Sequence, residues 1–428
     1  MLDIKWIRNN QECIQTVADQ KGIDLSISQL VAWDDQRRVL LQDIEQLRQE
    51  RNQTIQEINL SIYSHDLQHL EQKKQQMKGI NHRLAALEKE HKAVHDQYSN
   101  LMLYVPNIVS PDTPIGLSDQ DNVEVRRVGE PPDFAFEPKD HVKLGELHQM
   151  IDIPRGVKTA GSRNYYLTGA GAALHRAVQQ LALDLLMTRG FTLLEVPLMV
   201  RQEALYNTGF FPLGQDQTYQ IERNDKWLVG TSEVPLVSYY DNEIVDVREP
   251  IRLAAVSTCF RNEVGSAGKD VHGLYRVHQF SKVEQVIICE DSLEVSEQMF
   301  QGITQNAEDL LQQLELPYRV MAVCTGDMSQ KTYKQMDIET WMPSRQAYGE
   351  THSSSNLLDF QARRSNIRYR DAQGKTRFCH TLNNTAVASP RILIPLLENH
   401  QEEDGSIRIP AALRKYMNGI ECLRLRDL

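Results

Sequence analysis

The sequence predicts an α+β protein: an all-α N-terminal hairpin, then a larger domain in which helices flank an antiparallel sheet. Three observations predict it. Two long polar segments near the N-terminus carry residues for an apolar seam at alternating steps of three and four, and neither contains a proline. From about residue 170 onward, helical stretches alternate with short strands in no regular βαβ pattern, which favours an antiparallel sheet. Residues 255–260 and 285–289 read as strands on either side of a polar loop, Gly265-Ser266-Ala267-Gly268-Lys269-Asp270, so this unit reads as a long-looped antiparallel hairpin.

The elements follow in order. Residues 1 to about 28 form a short mixed lead-in. The first heptad segment carries Leu40, Ile44, Leu47, Arg51, Ile55 and Ile58; the second carries Leu70, Lys73, Met77, Ile80, Leu84, Leu87, His91, Val94, Tyr98 and Leu101. The link between them is short, with Ser64 or Asp66 as candidate N-cap of the second helix. Two heptad helices joined so briefly fold back as an antiparallel coiled coil, an arm of roughly 50 Å at 1.5 Å per residue. Val105-Pro106-Asn107 ends the arm, and a Pro/Asp-rich connector precedes the second domain, giving expected domains at 1–105 and 106–428.

Composition bounds the function classes. The 428 residues allow two or three domains with a large core, and 41% hydrophobic with 25% charged residues is ordinary for a globular protein. Net charge is −11, which argues against indiscriminate nucleic-acid binding but leaves room for local basic stripes. The six cysteines are scattered without CxxC spacing, so neither a disulfide framework nor a zinc ribbon is expected. No run is long enough to span a bilayer, and the first residues have neither signal-peptide nor transit-peptide character; a cytoplasmic protein without a membrane partner is expected.

The hairpin concentrates the chemistry. Strand alternation places Arg261 with Glu263, and Arg276 with Phe280 and Glu284, on common faces. Guanidinium groups, carboxylates and a ring together suit a nucleotide and a small polar substrate. The loop spacing GxxGKD is not GxxxxGK[ST], and no helix N-terminus follows it, so a Walker-type phosphate loop is rejected. Read alone, the same residues also describe a salt-bridged hairpin on some other enzyme.

The run CFRNEVGSAGKDVHGLYRVHQFSKVE resembles motif 2 of the class II aminoacyl-tRNA synthetases, in detail that of the seryl-tRNA synthetases, and the resemblance continues over nearly the whole chain. Arg189-Gly190-Phe191 leading to Glu195-Val196-Pro197 resembles motif 1, which in the family builds a homodimer interface. Thr231-Ser232-Glu233 resembles the family's TxE loop. Glu350-Thr351-His352-Ser353-Ser354-Ser355-Asn356 resembles its E-I-S-S-C-S-N block, with Ser354 where cysteine is usual. The segment from Thr381 to Arg391 resembles motif 3, with Asn384-Thr385-Ala386 where Gly-Ser-Gly is common.

The resemblance implies a C-terminal class II catalytic domain and an N-terminal arm that reaches the long variable arm of tRNA-Ser. Exposed Arg37, Arg38, Arg48, Lys73, Lys74, Lys78, Arg83, Lys89 and Lys92 are then available phosphate contacts. It implies serine–tRNA ligation: L-serine activated by ATP, then transferred to the 3′ end of tRNA-Ser (with tRNA-Sec where present). Arg261 and Arg391 become the catalytic arginines. Thr231, Ser232, Glu233, Arg261, Glu284, Asn383 and Thr385 bind serine. Arg261, Asn262, Glu263, Arg276, Phe280, Glu350, Thr351, His352, Ser353 and Arg391 form the ATP site. Mg²⁺ is held by Glu350 and Ser353, an oxygen pair that suits a hard cation; His352 is a structural neighbour, not a ligand. Two other readings compete. A synthetase-like enzyme loading a small amino acid onto another carrier would lack the arm, and a catalytically silent tRNA-binding paralogue would lack the motif arginines.

Overall fold

The computed structural model describes residues 1–264 and 272–425, so the hairpin loop 265–270 lies outside the described residues. The chain forms two compact units. One comprises Asp3–Asp19 and Ile23–Val105; the other comprises the described residues from Pro106 onward with Met1–Leu2 and Gln20–Gly22. No described helix is long and apolar enough to cross a membrane.

The first unit holds two short helices, α1 (Ile4–Asn9) and α2 (Gln11–Gln20), then two long ones, α3 (Ile27–Tyr63) and α4 (Leu67–Tyr104). The lead-in expected to be mixed is therefore helical. Ser26 opens α3 by accepting from Gln29 N at 3.2 Å, and Asp66 opens α4 by accepting from His69 N at 3.0 Å. Of the two candidate caps, Asp66 starts the second helix and Ser64 closes the first.

The seam of α4 follows the expected positions at Ile80, Leu84 and Val94 and shifts by one at its end, where Met102 is buried in place of Leu101. That of α3 departs after Leu47: Thr54 and Ser61 are buried, whereas Ile55 is 44% exposed. Strict alternation of three and four from Leu47 through Arg51 lands on Thr54, and the apolar side chain one place further misses the seam. Arg48–Glu88 at 2.7 Å and Lys73–Glu57 at 2.5 Å tie the two legs.

The second unit is built on one eight-stranded sheet. Its strands are β1 (Val123–Val128), β2 (Thr192–Leu193), β3 (Ile251–Phe260), β4 (Gln279–Cys289), β5 (Tyr318–Ala322), β6 (Lys334–Met342), β7 (Ala347–Asn356) and β8 (His380–Ser389). Their order is β1-β5-β6-β7-β8-β4-β3-β2, antiparallel except where β2 runs parallel to β3. The packing helices include α5 (Gly169–Thr188), α6 (Glu233–Ser238), α7 (Leu293–Gln313), α8 (Phe360–Ser365) and α9 (Leu393–Asn399).

Alternation along β4 divides the interior. Val283 and Ile287 join the main core with Leu174, Val178 and Leu181 of α5 and Phe300, Ile303 and Leu310 of α7. Val286 and Ile288 face a second cluster with Leu236 and Val237 of α6 and Ala362 of α8. A strand covered on both faces reads as a continuous apolar run, and the even-numbered face is free to carry polar chemistry only where that cover ends, at Phe280, Lys282 and Glu284.

Candidate active site

On that face of β4 opens a cavity of about 360 Å³. Its lining includes Thr231, Glu233, Arg261, Glu263, Phe280, Glu284, Glu350, Thr351, His352, Ser353, Asn383, Thr385 and Arg391, all expected from the sequence. Ser232, Asn262 and Arg276 do not line it. Ser232 is buried at the start of α6; Asn262 Nδ2 donates to Asp216 O at 3.2 Å; and Arg276 reaches the site through Glu263, Nη1 to Oε2 at 3.3 Å.

Strand parity carries only part of the hairpin reading. Phe280 and Glu284 stand on β4 as expected, but β3 ends at Phe260, so Arg261, Glu263 and Arg276 lie beyond the ladder. Glu263 sits at φ +48°, in the left-handed region, which breaks the alternation. The rings and charges still meet: the Arg261 guanidinium lies 5.2 Å from the Phe280 ring centroid, and its Nε donates to Gly230 O at 3.3 Å.

Two β-bulges aim the rest. In a regular strand, residues three apart face opposite sides. Between β6 and β7 the register passes from Ile338↔His352 to Glu339↔Glu350, leaving Thr351 as the extra residue. Between β8 and β4 it passes from Thr385↔Glu284 to Val387↔Val283, leaving Ala386 extra. Glu350 and Ser353 thereby reach the cavity together, as do Thr385 and Ala388. The Thr351 hydroxyl and one His352 nitrogen are used within the sheet: Thr351 Oγ1 pairs with Thr340 Oγ1 at 2.6 Å and with His352 Nδ1 at 2.8 Å, while His352 Nε2 has no hydrogen-bond partner among the described residues. Burial pushes the His352 imidazole down to about 3, so it stays neutral.

One end of the cavity is acidic and enclosed. Glu233 Oε1 accepts from Lys331 Nζ at 2.6 Å and from Gln361 Nε2 at 2.7 Å, while Glu233 N donates to Thr231 Oγ1 at 3.1 Å. Glu284 is fully buried against Lys282, two residues before it on the same face. That contact is an ion pair without hydrogen-bond alignment. Among the described residues, Glu284 Oε2 and Asn383 Nδ2 have no hydrogen-bond partner. Burial pushes the Glu284 carboxyl above the usual carboxylate range, and Lys282 opposes the shift.

The other end is cationic and aromatic. Arg391 donates from Nε to Tyr275 O at 3.0 Å and from Nη1 to Glu350 O at 3.1 Å, with the Glu350 carboxylate 3.4 Å away. Asp337 lies beside Ser353 on the same sheet face; burial, then the charge of Glu350, push its carboxyl up to about 8. Among the described residues no three His, Cys, Asp or Glu side chains converge into a metal cage. A cation here would therefore draw its remaining ligands from substrate oxygens and water.

Residues 1–109 match the family model of the seryl-tRNA synthetase N-terminal domain, and 218–400 match the tRNA synthetase class II core domain (G, H, P, S and T). Serine–tRNA ligase of Deinococcus radiodurans is 45% identical over 424 residues, 99% of each chain. The chain belongs to the seryl-tRNA synthetases. Among solved structures, seryl-tRNA synthetase from Pyrococcus horikoshii complexed with ATP superposes with a TM-score of 0.91 at 37% identity over 100% of both chains. Cytoplasmic serine–tRNA ligase from Naegleria fowleri in complex with AMP gives 0.85 at 27% identity, covering 100% of this chain and 99% of that one.

The structure accounts for two departures from the usual seryl-tRNA synthetase motifs. Ser354 and Asn384 face each other across β7 and β8 on the side away from the cavity, and they bond to one another. Three site residues had gone unassigned. Lys282 stands inside the motif 2 run, two residues before Glu284 and therefore on its face, and Gln361 of α8 reaches the site through Glu233. Lys331 lies in the turn between β5 and β6, where no local pattern marks it.

Proposed function

We infer that this cavity carries out both half-reactions of serine–tRNA ligation. In the first, a serine carboxylate oxygen attacks the α-phosphorus of ATP, the bond to the bridging oxygen breaks, and pyrophosphate leaves. In the second, the terminal ribose hydroxyl of tRNA-Ser attacks the seryl carbonyl and AMP leaves. Little covalent work falls to the protein, so catalysis is positioning and charge neutralisation.

One observation carries the serine assignment: Glu284 Oε2, held only by its ion pair with Lys282, stands in the same cavity as Asn383, whose Nδ2 has no hydrogen-bond partner among the described residues. A hydroxyl donates to the first and accepts from the second, and an aliphatic side chain does neither. Thr385, across the ladder from Glu284, completes that end, and Thr231 with Glu233 takes the serine ammonium. Ser232 lies buried in this TxE turn, where its carbonyl accepts from Leu236 N at 3.0 Å. Arg261 neutralises the α-phosphate and the adenine lies against Phe280 and Glu263; Asn262 and Arg276 hold the Glu263 segment in place. Arg391, now on Glu350, turns to the γ-phosphate end.

Glu350 and Ser353 present hard oxygen donors on one face, beside a carboxyl that lacks counter-charge, which fits Mg²⁺. When bound there, Mg²⁺ supplies charge neutralisation to the triphosphate. Thr351 and His352 contribute by shaping the bulge that aims these two donors.

The reading extends to a cytoplasmic homodimer with domains 1–105 and 106–428, whose helical hairpin contacts the long variable arm of the tRNA. The seryl-type N-terminal match over 1–109 stands against the carrier-loading reading, and the presence of Arg261 and Arg391 in the cavity against a silent paralogue. Serine-dependent ATP–pyrophosphate exchange, followed by charging of purified tRNA-Ser, tests the assignment; exchange with another amino acid in preference to serine would overturn it.

A further inference from the structure

We propose that Lys331 is a resident cation at the amino-acid end of the cavity, and that its proton leaves to solvent when the serine ammonium binds at Glu233. The proposal rests on the ligase reading and concerns the same site. Its ground is geometric. The carboxylate assigned to the substrate ammonium already holds one: Lys331 Nζ is 2.6 Å from Glu233 Oε1, and the second donor on that oxygen is Gln361. The Lys331 ammonium also sits 3.7 Å from the centroid of the Phe210 ring. Its side chain and that of Glu233 are only 9% and 6% exposed, so water does little to screen a second cation.

The charged groups facing Lys331 are Glu233 on α6 and Lys282 and Glu284 on β4. Behind its turn, Lys21 Nζ donates to the carbonyls of Ser329, Gln330 and Thr332, which holds the turn in place. Two carboxylates and two lysines at this end balance without substrate. Serine's carboxylate is directed away, to Arg261 and the ATP α-phosphorus, so its ammonium leaves one cation too many at this desolvated end. Loss of the Lys331 proton restores the balance, and the resulting amine has a lone pair that accepts from the incoming ammonium. Burial already pushes the Lys331 ammonium below the usual lysine range, against the pull of Glu233.

The sign follows from linkage. Binding lowers the proton affinity of Lys331, so serine binding strengthens as pH rises, by up to about tenfold per pH unit, until the free enzyme itself has lost that proton. The test uses the full chain and two readouts. The first is KM for serine across pH in ATP–pyrophosphate exchange. The second is calorimetric binding of the sulfamoyl analogue of seryl-adenylate, which retains the ammonium, in two buffers of different ionisation heat.

Wild type is expected to release close to one proton per site. Lys331→Met is expected to release none and to lose the pH slope, with ATP binding as the check on its fold. Lys331→Arg, a permanent cation, is expected to bind serine at least tenfold more weakly with no slope, and it serves where the methionine variant does not fold. Serine-dependent exchange with the same slope and the same proton release in wild type and either variant overturns the proposal alone. A wild-type enzyme that binds ATP but shows no serine-dependent exchange overturns the ligase reading and this proposal together.

Discussion

Asn384 Nδ2 donates to Ser354 Oγ at 2.6 Å, directly across the ladder between β7 and β8. The pair is one link in a buried chain. Thr304 Oγ1 donates to Ser354 Oγ at 3.0 Å, Gln285 Nε2 to Asn384 Oδ1 at 2.5 Å, and Asn306 Nδ2 to Gln285 Oε1 at 2.7 Å, while Arg189 at the end of α5 donates to Asn306. Each of β4, β7 and β8 thus carries a polar side chain into the core directly behind a residue that lines the cavity. Every member has a partner, so the chain specifies register without leaving an unpaired group.

The two ends of this bond are expected to be energetically coupled. Ser354→Ala should destabilise by about 1–3 kcal/mol, because Asn384 Nδ2 loses its short bond in the core and keeps only Ser353 O at 3.3 Å. Asn384→Ala should do the same, and the double variant should fall short of the sum by about 0.5–3 kcal/mol. Urea unfolding of the four proteins measures this cycle, and strict additivity would show that the bond contributes nothing specific.

Side-chain choice should reside in Glu284. The Glu284 carboxylate as acceptor and Asn383 Nδ2 as donor define a hydroxyl site, and such a site rejects an analogue lacking the hydroxyl by about 10⁴-fold or more. Glu284→Ala should therefore lose most serine-over-alanine discrimination in the exchange assay while ATP binding survives. Serine preference left intact would remove Glu284 from this role.

Glu350 separates the two half-reactions. If it holds Mg²⁺ against the triphosphate, Glu350→Ala should cripple adenylate formation and weaken its Mg²⁺ dependence. Transfer from preformed seryl-adenylate should suffer much less, because pyrophosphate has already gone. The variant also frees Arg391 of its 3.4 Å neighbour, so thermal unfolding without ATP separates a structural loss from a catalytic one. Equal loss of both steps would mark Glu350 as structural.

Legibility in the sequence followed the range of each physical signal. Period and caps are local, so α3, α4, their turn and the β3–β4 hairpin could be read from Leu84, Asp66 and the runs around Cys259 and Ile287. Motif resemblance supplied the residues of the cavity, and Phe280 and Glu284 on β4 fell where alternation put them. Three things escaped. The bulges at Thr351 and Ala386 have no local signature, yet they decide that Glu350 joins Ser353. Glu263 leaves the strand through a left-handed conformation that parity does not anticipate. Lys331 belongs to the site only because tertiary packing brings its turn against Glu233, 98 positions away in the chain.

That turn depends on Lys21. Its ammonium donates to three carbonyls, at 3.1, 3.3 and 2.7 Å, and truncating it removes a clamp that ties Ser329, Gln330 and Thr332 together. Lys21→Met should raise KM for serine by roughly tenfold or more, through displacement of Lys331, while KM for ATP holds. Exchange kinetics with each substrate varied in turn decide it: parallel rises in both constants would point to general loss of structure.

The helical hairpin should be separable from adenylation, because among the described residues none that lines the cavity comes from α3 or α4. Removing about residues 30 to 100 and bridging the ends with a short linker should leave serine-dependent exchange largely intact and sharply reduce aminoacylation. Arg37, Arg48 and Lys73 are committed to Asp34, Glu88 and Glu57, so the exposed set Arg38, Lys74, Lys78, Arg83, Lys89 and Lys92 remains for phosphates. Affinity of the intact enzyme for tRNA-Ser should then fall with added salt, and the residual affinity of the truncated form less steeply. A hairpin serving instead as a dimerisation spacer predicts a monomer with both activities lost. Sedimentation of the truncated protein beside the two assays distinguishes these, and a dimer that charges tRNA-Ser at the intact rate would refute both.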